Sequence, residues 1–194
     1  AQATQACTAD GVSGVLSARR LRIGAELMAR RFARYPEPHV GVMLPASVAA
    51  DLAFFGLHLA GKVPVMLNWT TGPAALAHGI RVTETRRILS SRKLVDRLGL
   101  EVEGAEFVFL EDLKGSIGTG EALRAAAAAR LAPGRLLDAL PPQREDDPAV
   151  FLFTSGSESA PKTVPLSHRN LLTNILDSLD VLAAEPHDSL LGFL

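Results

Sequence analysis

One cysteine, Cys7, stands among 194 residues, so no internal disulfide can form and the chain is compatible with a reducing compartment. Aromatic residues make up 5% and the formal net charge is -1. Neither a stacking platform nor a bulk positive field is present, which argues against nucleic acid as a partner. There is no C-x-x-C and no H-E-x-x-H, and the five histidines are scattered, so no metal-ligating residue is indicated. A G-x-S-x-G nucleophile elbow and an H-x4-D pairing are both missing, which removes two acyl-transfer arrangements. The most apolar stretch, residues 40–59, contains Pro45, Asp51 and His58, so no segment reads as a membrane span. Ala1 is neither an initiator methionine nor the start of a signal pattern, and the chain reads as beginning inside a longer protein.

What is present is an ordinary globular composition, 47% hydrophobic, long enough for one domain with a real core or two small lobes. Strand and helix patterns alternate. Residues 16–35 read as a helix with Leu21, Ile23, Leu27, Met28 and Phe32 inward and an arginine-rich remainder. That remainder is taken as a solvated face in preference to a site for an anionic membrane or an acidic carrier. A strand at 39–44, a helix at 47–60 and a strand at 63–67 follow. The helix is apolar nearly all round, with Val48, Leu52, Phe55 and Leu59 as its main core face and His58 as a core-edge histidine. Thr71 or Gly72 can cap the next helix, with Pro73 in its first turn. Residues 87–90 and 107–110 read as strands, 92–98 as a short helix ended by Gly99, and 115–120 as a loop. The helix at 121–131 is alanine-rich but poor in large anchors. A charged, proline-containing linker then runs to Pro148, and 111–148 is expected to be the least ordered region. The alternation predicts an α/β class: a layered, largely parallel sheet flanked by helices, with 40–44, 63–67 and 107–110 as neighbouring strands.

Residues 153–162 read F-T-S-G-S-E-S-A-P-K. Glycine lets backbone N–H groups turn inward, hydroxyls add donors and the lysine adds a positive charge, a composition suited to polyphosphate. The apolar run at 149–153 reads as a buried strand delivering this loop to a sheet edge. A P-loop of the form G-x-x-x-x-G-K-[ST] almost matches 156–163. Pro161, however, takes the second glycine position and removes a donor. Beyond Lys162, Thr163-Val164-Pro165-Leu166 favours an extended segment over immediate entry into a helix. The helix is expected after Ser167 as N-cap, with Leu171, Leu172, Ile175, Leu179 and Leu182 at helical spacing. The reading is strand, mobile phosphate loop, antiparallel strand, helix.

That arrangement resembles the adenylate-forming (AMP-binding) superfamily of acyl-CoA and acyl-carrier-protein synthetases, peptide-synthetase adenylation domains and firefly-type luciferases. Its signature, [STG]-[STAG]-G-[ST]-[STE]-[SG]-x-P-K, is met at every constrained position by residues 154–162. Ser167-His168-Arg169-Asn170 looks like the family's Ser/Thr-His-x-Asn step into the next helix. Within the superfamily the chain looks most like the acyl-ACP synthetase half of 2-acylglycerophosphoethanolamine acyltransferases. Three stretches carry that likeness: 66–72, with Met66-Leu67-Asn68, an aromatic, a threonine and Gly72; 108–114; and 151–158.

The resemblance implies ATP and Mg2+ as cofactors, with Thr154, Ser155, Gly156, Ser157, Glu158 and Ser159 around the phosphates and Lys162 as the catalytic charge. It implies a carboxylic acid, in the closest group a long-chain fatty acid, activated as acyl-AMP and passed to an acyl carrier protein or CoA. Localisation would be cytoplasmic, or the cytoplasmic face of the inner membrane if the larger protein is membrane-associated. Residues 188–194 look like a strand, and family segments expected further on are absent. Residues 1–194 are therefore expected to be the N-terminal portion of an adenylation domain, inactive alone. A nucleotide-binding module without ligase chemistry and a structural or docking module remain as alternatives.

Overall fold

Short runs of β-branched and aromatic residues, each too brief for a stable helix, build the central sheet. The computed structural model describes residues 5–132, 134, 140–154, 161–183, 185, 188 and 189. Within them β3 (His39–Val42), β4 (Val63–Met66), β5 (Arg87–Ser90), β6 (Glu106–Phe109), β7 (Pro148–Phe153) and β8 (Thr163–Ser167) form one six-stranded sheet in the order β6-β5-β3-β4-β7-β8. β6/β5, β5/β3, β3/β4 and β4/β7 are parallel, and β7/β8 alone is antiparallel. Five strands therefore end at the same carboxyl edge, and β8 runs back from it. The layered α/β expectation holds. One detail differs: β5 lies between β3 and β6, so 107–110 does not neighbour 40–44. Local pattern finds strands, whereas their order is set by which edge each crossover reaches.

A β-hairpin that the sequence reading missed opens the structure, β1 (Ala6–Asp10) against β2 (Gly14–Ser17). Asp10 ties its turn and docks it. One carboxylate oxygen accepts from Val12 N (2.8 Å) and Ser13 N, and the other accepts from Val48 N (2.8 Å) at the start of the second helix. The Ser13 amide, with those of Val48 and Val12, holds the Asp10 carboxyl below its usual range. Thr8 Oγ1 also donates to Asp51 at 2.5 Å. The first helix accordingly starts late: α1 is Ala18–Phe32, capped by Ser17.

Helix α1 packs against α2 (Val48–Leu59) over Gly56. A Cβ built there would stand 3.0 Å from Met28 Cβ and Phe32 Cε2, so a larger residue would require the two helices to give way. The expected α2 face is corrected on the same ground. Its buried residues are Val48, Ala53, Gly56 and Leu57, while Phe55 is 48% exposed. Small residues mark where α1 sits, a phase that an all-round apolar helix does not reveal. On α1 itself Leu21, Leu27, Met28 and Phe32 are buried as expected, with Ile23 only half-buried.

The remaining helices are α3 (Pro73–Val82), α4 (Arg92–Leu98), α5 (Leu110–Gly115), α6 (Thr119–Leu131) and α7 (His168–Val181). Helix α6 matches the alanine-rich helix expected at 121–131, whereas α5 was not expected, and both overlap the stretch expected to be least ordered. Helix α6 buries only Ala125 and Ala129. Arginines of α1 hold it instead: Arg31 makes a bidentate pair with Glu121 (2.6 and 2.7 Å), and Arg22 donates to Ala129 O at 2.5 Å. Part of the arginine-rich face is thus an internal seam. Leu172, Ile175, Leu176 and Leu179 of α7 are exposed, and the helix buries no side chain among the described residues. No described helix is long and apolar enough to cross a membrane.

Candidate functional site

The loop that the sequence singles out begins where β7 reaches the carboxyl edge of the parallel strands, the edge at which open α/β sheets bind ligands. Its neck is closed by the last β7/β8 pair, Phe153 opposite Thr163. One step further, Thr154 N donates to Lys162 O at 3.1 Å, and Lys162 N donates to Thr154 Oγ1 at 3.2 Å. Thr154 and Lys162 are both exposed. The structure thus brings together the first residue and the lysine of the signature. Ser155, Gly156, Ser157, Glu158, Ser159 and Ala160 lie outside the described residues, as do residues 190–194 of the strand expected at 188–194. Lys162 enters a strand, and the next helix begins only at His168. That is not the layout of a Walker P-loop.

Support for the neck comes from below. Phe153 lies against α3, where a Cβ on Gly79 would stand 3.0 Å from the ring's Cζ, and it packs in the cluster formed by Met43, Val65, Leu67, Leu76, Ile80 and Ile88. Gly72, at φ 87°, precedes Pro73 as the N-cap of α3, the start that the sequence allowed.

Ser167-His168-Arg169-Asn170 has structural work visible in every member. Ser167 and Asn170 form a capping box, Ser167 N donating to Asn170 Oδ1 (3.0 Å) and Asn170 N to Ser167 Oγ (3.2 Å). Arg169 pairs with Glu145 (2.8 Å) and Asp146 (3.0 Å), tying the approach to β7 onto the helix start. These pairs are exposed, so each contributes little stability. The His168 ring lies 5.6 Å from that of His58, which also meets Phe54 edge-on at 4.6 Å.

Burial, and next the charge that His168 can carry, push the His58 pKa down from 6.5 to about 4. The folded state therefore disfavours a proton that the unfolded chain accepts below pH 6.5. The stability from neutral His58 is complete above that pH and is lost as the pH falls toward 4. After discounting for partial solvent access, the loss is about 1–2 kcal/mol. Urea unfolding at pH 7.5 and pH 4.5 should show His58→Leu losing less stability on acidification than the unsubstituted chain. Equal losses would mean that His58 is solvated.

An exposed lysine and a hydroxyl-clasped neck thus stand at the carboxyl edge of a mostly parallel α/β sheet. A family model of AMP-binding enzymes matches residues 6–194, and the chain belongs to that family. 4-coumarate--CoA ligase-like 3 of Oryza sativa subsp. japonica is 29% identical over 178 residues, covering 86% of this chain and 29% of its own. Nonribosomal peptide synthetase inpB of Emericella nidulans is 27% identical over 150 residues, covering 73% of this chain and 6% of its own. The solved complex of VinN with 3-methylaspartate shares the fold, with a TM-score of 0.75 at 20% identity, covering 95% of this chain and 49% of that one. The chain thus spans less than a third of the length of each of those two curated relatives.

Proposed function

We propose that the full-length protein is an ATP-dependent acid:thiol ligase of which this chain supplies the phosphate loop. The observation carrying the proposal is the complete signature at 154–162 on a neck closed by Thr154 and Lys162 at the carboxyl edge. A carboxylate oxygen attacks the α-phosphorus of ATP, the bond from that phosphorus to the bridging oxygen breaks, and pyrophosphate leaves. A thiol then attacks the acyl carbon, the acyl–oxygen bond breaks, AMP leaves, and the thiol proton passes to solvent. Lys162 balances the charge gathering on pyrophosphate, and Thr154, Ser155, Gly156, Ser157, Glu158 and Ser159 hold the phosphates by hydroxyl and backbone donors. Mg2+ neutralises phosphate charge when bound. Among the described residues no group of three or more His, Cys, Asp or Glu could hold it; by the family resemblance it would be shared between the phosphates and an acid further on.

The finer reading is a long-chain fatty acid passed to a carrier-protein phosphopantetheine or to CoA, in the cytoplasm or at the cytoplasmic face of the inner membrane. It rests on the three stretches similar to the acyl-ACP synthetase half of 2-acylglycerophosphoethanolamine acyltransferases. The test is acid-dependent exchange of labelled pyrophosphate into ATP by the full-length protein, with a long-chain fatty acid, an amino acid and an aromatic acid side by side. Exchange greatest with the fatty acid is expected. Exchange with another acid alone would keep the ligase and correct the substrate, and none with any carboxylic acid would remove the ligase reading.

A further inference from the structure

Helix α7 is 14 residues long, a length at which a helix in water is marginal unless an amphipathic face is packed. Leu171, Leu172, Ile175, Leu176 and Leu179 fall on one stripe, about 140° wide at the helical period. Thr173, Asn174, Asp177 and Asp180 lie outside it. Yet Leu172 is 56% and Leu176 63% exposed, and α7 buries no side chain among the described residues.

The open apolar surface does not end on α7. His168 lies on the same stripe, and its ring meets that of His58 on α2 at 5.6 Å. His58 meets Phe54 at 4.6 Å, and Phe54 meets the exposed Phe55 at 5.7 Å. On β7, Phe151 and Phe153 pack into the cluster on the α3 side of the sheet. Side chains alternate along a strand, so Leu152 points to the opposite face, that of α1 and α2, where it too is exposed. Apolar side chains of α2, β7 and α7 are thus left open together, a feature that marks interaction surfaces in proteins.

Two observations choose the occupant. Asp177 and Asp180 lie on the polar side of α7, and its Arg169 is already paired with Glu145 and Asp146. An anionic membrane calls for free cations there and does not fit. The chain also matches about half of VinN, so a protein of this fold has as much polypeptide again. A segment tethered to the same chain acts at a high effective concentration that a separate copy lacks.

We propose that the face formed by the α7 stripe, Leu152 and Phe55 is a docking surface for the polypeptide that follows residue 194 in the full-length protein, which lays an apolar layer across it. The inference takes from the reading above only that the full-length protein is longer than this chain, and nothing of its chemistry.

The experiment is hydroxyl-radical footprinting of the unsubstituted full-length protein, native and in urea, reading Leu172, Ile175, Leu176 and Leu179 with Val12 as the exposed reference. Native protection of about tenfold is expected on α7, the ratio for a residue left with a tenth of its surface, and none at Val12. That protection should survive dilution by about a hundredfold, which would dissociate a second copy. Oxidation of α7 at its unfolded rate would overturn the inference, and so would protection lost on dilution. Leu176→Gln, which keeps helix propensity, should lower the urea midpoint of the full-length protein, and an unchanged midpoint would also overturn the inference. Neither measurement needs turnover, so failure of the ligase reading in the exchange assay leaves this result standing.

Discussion

Replacing Lys162 by alanine in the full-length protein is expected to lower acid-dependent ATP–pyrophosphate exchange by about 10²–10³-fold, the scale of losing one preorganised group aimed at developing charge. The neck is closed by the Lys162 backbone, N–H to Thr154 Oγ1 and C=O from Thr154 N. Its side chain is exposed. The substitution therefore removes the charge and leaves the β7/β8 ladder in place, and the unfolding midpoint should stay where it was. Lys162→Arg keeps the charge on a wider, planar head, so partial activity is expected from it. Exchange undiminished in Lys162→Ala would take the phosphate role away from this residue.

Where sequence reading succeeded, a local cause was at hand. Pro161 and the β-branched Thr163-Val164 excluded a helix after Lys162, and the antiparallel β7/β8 pair is the result. Ser167 followed three residues on by Asn170 announced the start of α7, and the capping box supplies the physical content of that motif. The N-terminal hairpin carried a signal that went unused, since Asp10-Gly11 and Gly14 mark a turn between short extended runs. Helix α2 was legible as a helix but not in phase. Its buried face is defined by Ala53 and Gly56, whose smallness matters only once α1 lies across them. The strand order, with β5 between β3 and β6, is a tertiary choice with no local mark. Thr163 illustrates the same limit in β8. A threonine in a strand is unremarkable until its hydroxyl is found buried without a partner.

In the proposed ligase reading, Lys162 and Thr154 have separable roles. The lysine offers charge, while the Thr154 hydroxyl spends one acceptor site on the Lys162 amide and retains its own proton as a donor. A hydroxyl that closes the neck and still donates is suited to hold the first phosphate oxygen at a fixed place.

The most direct measurement follows the oxygen. In the proposed reaction the carboxylate oxygen that attacks the α-phosphorus stays on phosphorus when the thiol displaces AMP from the acyl carbon. Full-length protein turning over an acid labelled with heavy oxygen in its carboxylate, with ATP and a thiol acceptor, should therefore release AMP carrying one labelled oxygen in its phosphate, alongside unlabelled pyrophosphate. Label in inorganic phosphate with formation of ADP would mean attack at the γ-phosphorus through an acyl phosphate, and would contradict adenylation as the chemistry of this site.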